Sequence, residues 1–127
     1  MVHFASFVFV TQLDQFAALC RVVKGMQRMT VGAIGARTTA FKTVRFDELT
    51  LQRYGITTET LDLSEVFLRF HNLDTASDTY NAKLERLKNY TCWDGVPSEA
   101  VVRMAKLGVV IDNIISEFQM DAIAFRC

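Results

Sequence analysis

Two spacings alternate along this chain: short runs suited to strands and closed by turn residues, and longer stretches in which apolar residues recur every three or four positions. Residues 29–34 (Met-Thr-Val-Gly-Ala-Ile) are short, apolar and bounded by Gly35, as an inner strand of a parallel sheet would be. Residues 57–61 read as a second strand and residues 121–126 as a third. Helical periodicity fills the rest. Over 11–25 it places Leu13, Phe16, Ala17, Cys20 and Val23 on one face, with Gly25 as the stop. Over 46–54 it turns Phe46, Leu49 and Tyr54 inward, and Gly55-Ile56 suits a left-handed cap with an apolar residue folded back.

A third helix follows Asp62-Leu-Ser-Glu65. Asp62 or Ser64 caps it, Glu65 sits three residues past Asp62 as in a capping box, and Val66, Phe67 and Phe70 form the apolar side. Residues 75–90 carry only a thin stripe of Tyr80, Leu84 and Leu87. After the Asp94-Gly95 turn, Pro97 suits a first helical turn, and 98–120 is the longest helix. Its stripe reads as Val101, Met104, Gly108, Ile111, Ile115 and Phe118. Residues 4–10 are an edge strand or, with the rest of 1–11, the remnant of a preceding segment.

Strands alternating with helices imply right-handed crossovers. The expected class is α/β, a Rossmann-like or flavodoxin-like parallel sheet of three to four strands with helices on both faces, in one domain over 1–127. A third strand with no covering helix after it points to an incomplete domain, a piece of something longer.

Composition narrows the function classes. Half the residues are hydrophobic and 22% are charged, so a packed core is available. Lys plus Arg and Asp plus Glu both number 14, so no net field draws the chain to nucleic acid or an acidic membrane. Cys20, Cys92 and Cys127 form no C-x-x-C pair, as expected of reduced thiols in the cytoplasm. The apolar run 4–10 is too short to span a bilayer and lacks a basic flank.

Candidate chemistry gathers where the first two strands end, the edge at which α/β proteins place ligands. Arg37 follows the first strand, and its guanidinium suits a carboxylate, a phosphate, or a structural partner such as Glu48 or Glu65. Arg45 and Glu48 flank the next helix start, where a local ion pair is the simplest reading. Asp62 and Glu65 follow the second strand. Gly32 and Gly35 read as a tight strand-to-loop turn, being neither G-x-G-x-x-G nor a Walker loop. His3 and His71 belong to no metal-ligand array, and no serine sits in a nucleophile elbow. No complete catalytic set or self-contained metal site can be assembled.

Several ordered blocks resemble a known family. They are Cys20-Arg-Val-Val-Lys-Gly25, Val31-Gly-Ala-Ile-Gly-Ala-Arg37, Ala40-Phe-Lys-Thr-Val-Arg45-Phe-Asp-Glu48, Tyr54-Gly-Ile, Glu59-Thr-Leu-Asp-Leu-Ser-Glu65-Val and Asp121-Ala-Ile-Ala-Phe-Arg-Cys127. Together they resemble the central region of L-fucose isomerase/L-arabinose isomerase-like proteins, from about Phe16 onward. The resemblance implies a Rossmann-like domain of a cytoplasmic, oligomeric, Mn²⁺-dependent aldose–ketose isomerase working through an enediol. It also implies that the metal ligands and catalytic carboxylates lie beyond the block at 121–127, so that no catalytic residue or cofactor is expected in this chain. Thr38 and Lys42 depart from the proline and asparagine that the resemblance leads one to expect.

The expected function is thus a fragment or truncated member of that family, inactive alone, joining copies of itself or a missing downstream domain. The alternative is a stand-alone flavodoxin-like binding or self-assembly module.

Overall fold

Val31 to Ile34 find strand partners on both sides. In the computed structural model, which describes residues 2–35 and 46–125, β1 (Thr30–Ile34) is the middle strand of a three-stranded sheet. β2 (Thr57–Leu61) pairs with it in parallel from Thr30↔Thr57 to Ile34↔Leu61. β3 (Ala122–Phe125) pairs in parallel on the other edge, from Val31↔Ala122 to Ile34↔Phe125. The helices are α1 (Val2–Met26), α2 (Glu48–Arg53), α3 (Leu63–Asn72), α4 (Asp78–Lys88) and α5 (Ser98–Glu117). The order β2-β1-β3 makes the chain step one way through α2 and back the other way through α3–α5. Right-handed crossovers then put α2 and α5 on opposite faces. The fold is the expected open parallel α/β sheet flanked by helices.

Alternation decides which side chains meet which layer. Gly32, Ile34, Leu61 and Ile123 share the face that meets α5, where Ile34, Leu61, Val66, Val110, Ile114 and Met120 form a buried cluster. Tyr80, Ala105 and Val109 join α4 to α5 in a second cluster. Lys83 of α4 lies across Gly108 and ion-pairs with Asp112. The opposite sheet face carries Val31, Ala33, Ala122, Ala124, Thr58 and Thr60.

Four expectations about faces and elements are revised. Residues 4–10 are helical and continue into 11–26 as one element. The Thr11 hydroxyl donates to the Phe7 carbonyl within that helix, 3.0 Å away. Strand propensity in Phe and Val is weak beside continuity with an established helix. The α5 stripe holds only in part: Val101 is buried and Ile115 and Phe118 pack against the core, but Ala105, Val109, Val110 and Ile114 are buried beyond it while Met104 is exposed. So much of α5 is apolar that periodicity alone names no single face. Phe46, Leu49 and Tyr54 are exposed: α2 is only six residues long and buries none of its own, and Phe46 and Tyr54 fall outside it. Phe67 is exposed too, whereas Val66 and Phe70 pack as expected.

Glycine placement is also more specific than a turn signal. Gly35 has φ 100°, a left-handed bend at the end of β1, and its N–H donates across the sheet to the Leu61 carbonyl at 2.8 Å. Gly32 instead lies within β1, where an added Cβ would fall 2.2 Å from Met120 Sδ. Its role is close approach beneath the residue that follows α5. Asp121 completes the closure: its N–H donates to the Thr30 carbonyl (2.9 Å) and its carboxylate accepts from the Thr30 N–H (2.8 Å).

Candidate functional site

β1 and β2 both end at the carboxyl edge of the sheet. β1 leaves through Gly35, and β2 leaves through Asp62 into α3. Asp62 has extended backbone geometry and its carboxylate accepts from the Ser64 N–H at 2.7 Å, so it is the N-cap and Ser64 is not. The Ser64 hydroxyl and amide together hold the Asp62 carboxyl below its ordinary 3.8.

Glu65 does not sit alone beside this cap. Its Oε1 accepts from Arg69 Nη2 at 2.6 Å, one helical turn on. Arg69 also reaches α5, donating through Nη1 to Glu117 Oε2 (2.5 Å) and through Nη2 to Glu117 Oε1 (3.3 Å). One guanidinium therefore ties the first turn of α3 to the last turn of α5. Glu117 and then Glu65 hold Arg69 above its ordinary value, and Arg69 lowers Glu117. The Glu65–Arg69 spacing of four is a legible helix pair. Glu117 is 48 residues from Arg69, and no local pattern announces it.

Glu48 opens α2 and is exposed. Its predecessor Asp47 is the N-cap, accepting from the Thr50 hydroxyl at 2.6 Å and the Thr50 N–H at 3.0 Å, and both lower its pKa. The signal missed in the sequence was Asp-x-x-Thr with the cap at Asp47. Arg37 and Arg45 lie outside the described residues, as do Thr38, Lys42 and Cys127. Of the five candidates, the structure thus brings Asp62 and Glu65 together at the start of α3. It gives Asp62 a capping role and Glu65 an ion-pairing one.

Three carboxylates with lowered pKa values set an acid dependence. Their folded values lie below their unfolded ones, so the stability they contribute is full above about pH 5.5 and is lost as pH falls through the unfolded values and then the lowered ones. Thermal melts from pH 6 to pH 2.5 should show a steeper fall in Tm for the natural chain than for Asp47→Asn/Asp62→Asn/Glu117→Gln. Parallel curves would contradict this assignment.

Other features lie away from the carboxyl edge. An open, mainly apolar recess of about 650 Å³ lies between the end of α1 (Val23, Met26) and the α2–β2 turn (Leu51, Tyr54, Ile56), where the strands begin. Among the described residues, no three His, Cys, Asp or Glu side chains converge. No helix among them is long and apolar enough to cross a membrane. No known protein family and no curated protein matches the sequence.

Proposed function

We propose that this chain is scaffold from the central domain of a sugar isomerase of the L-fucose/L-arabinose type, inactive by itself and acting in the cytoplasm. The observation that carries the reading is where the resembling blocks fall. Val31-Gly-Ala-Ile-Gly covers β1 and its exit turn, and Glu59-Thr-Leu-Asp-Leu-Ser-Glu65-Val covers β2 and the α3 cap. Asp121-Ala-Ile-Ala-Phe covers the Thr30 latch and β3. In an open parallel sheet, strand ends are where substrate-facing loops are anchored. On this reading the described residues shape that edge, and the metal and proton-transfer groups come from further sequence. The sugar and the Mn²⁺ ion would engage only when that sequence is present.

A chimera tests the proposal. Residues 30–66 would replace the corresponding strand–helix–strand unit of a working arabinose or fucose isomerase. A folded chimera with Mn²⁺-dependent aldose–ketose interconversion is expected, and one that folds without turnover would count against the reading. The chain alone should show neither turnover nor a stoichiometric Mn²⁺ heat by titration calorimetry. Either signal would place ligands within these residues and overturn the proposal.

A second reading, a self-assembly module, is favoured by one observation. α1 contributes nothing to the buried clusters of the described residues, yet it exposes apolar side chains along most of its length.

A further inference from the structure

Phe9, Leu13, Phe16, Leu19, Val23 and Met26 recur at three- and four-residue steps, and each is about half exposed or more, up to 64% for Phe9, Phe16 and Leu19. A helix with such a face is expected to bury it. We infer that α1 is a homodimer interface, in which two copies of this helix pack antiparallel about a two-fold axis. This inference rests on the self-assembly reading and adds the surface, the partner and the orientation.

Area supports a second copy. At roughly 110 Å² for each side chain, the six supply on the order of 650 Å² per copy, near the ~800 Å² per partner of a standard interface. That also exceeds the few hundred Å² of contiguous apolar surface that monomers usually expose. The recess at the base of α1 adds to it, because Val23 and Met26 belong both to the stripe and to the recess wall. A chain with equal numbers of acidic and basic residues carries no net repulsion against its own copy.

Orientation follows from where the large and the hollow parts lie. Exposed Phe9 stands near the start of the stripe, and the recess lined by Val23, Met26, Leu51, Tyr54 and Ile56 lies at its end. A two-fold axis must map each surface onto its complement. Antiparallel packing does so twice, seating Phe9 of each copy at the partner's recess. A parallel pair would set phenylalanine against phenylalanine and recess against recess. With Phe9 opposite Met26, the register also places Gln12 opposite Val23, on the same side of the helix.

Sedimentation velocity on the full chain should give a two-chain mass in the micromolar range. Phe9→Glu/Phe16→Glu, which touches none of the buried core, should weaken the dimer by at least about a hundredfold, with helical circular dichroism retained. In a background with Cys20, Cys92 and Cys127 changed to serine, Gln12→Cys and Val23→Cys should form an oxidised dimer when mixed and not when either is alone. A monomer at all concentrations would overturn both the inference and the self-assembly reading. A dimer that survives Phe9→Glu/Phe16→Glu, or cross-linking by either single variant alone, would overturn the α1 interface while leaving self-assembly through another surface.

Discussion

Truncating Ile114 to alanine is expected to lower the unfolding free energy by about 3–5 kcal/mol, the range for deleting a fully buried large aliphatic side chain. Ile114 is 0% exposed and belongs to the cluster that joins β1, β2, α3 and α5. Its removal leaves a hole between layers whose positions are set by the hydrogen-bonded sheet and by the Arg69 bridge, so collapse around the hole is limited. Domains of this size have only about 5–15 kcal/mol of net stability, so the variant should be near its unfolding midpoint under mild denaturant. Urea unfolding followed by circular dichroism measures it. A shift in midpoint below one third of that expected would mean the α5–sheet contact is not the principal core.

Gly55→Ala is expected to cost about 3 kcal/mol, from two separate causes that a paired control resolves. Gly55 has φ 84°, and Gly55 and Ile56 end α2 by donating to the Gln52 and Leu51 carbonyls, both at 3.0 Å. An added Cβ would also lie 2.1 Å from the Gln27 carbonyl oxygen, in the link between α1 and β1. Gly95 has nearly the same backbone, φ 80°, with nothing within 4 Å of an added Cβ. Gly95→Ala should therefore show the left-handed backbone cost alone, about 1 kcal/mol. Equal losses for the two variants would show that the Gln27 approach is readily relaxed.

The elements that were legible in the sequence are those specified by neighbours. Gly35, Asp62 and Gly55 mark their turns and caps within a few residues, so β1, β2 and the start of α3 could be placed to within a residue. What depended on distant partners could not. Gly32 resembled a turn glycine until Met120, 88 positions later in the chain, was brought over it. Nearly every turn of α5 offers an apolar residue, and the face was chosen by Tyr80 and the sheet rather than by period. At the candidate site, Asp62 and Glu65 were located correctly as the residues following β2. Their commitments to Ser64 and Arg69 required geometry, and Glu117 arrived from another helix altogether.

The middle position of β1 has a kinetic consequence. Its pairing with β2 closes a loop of only 27 residues, from Thr30 to Thr57, whereas its pairing with β3 waits for a contact 91 residues distant, between Thr30 and Asp121. Closing a loop roughly three times longer costs about 1 kcal/mol more in chain entropy, and that cost precedes the burial that offsets it. The β1–α2–β2 unit can thus form early with its β3-facing edge open. Until Asp121 arrives, that edge is a template for any extended strand, and refolding yield should fall as protein concentration rises.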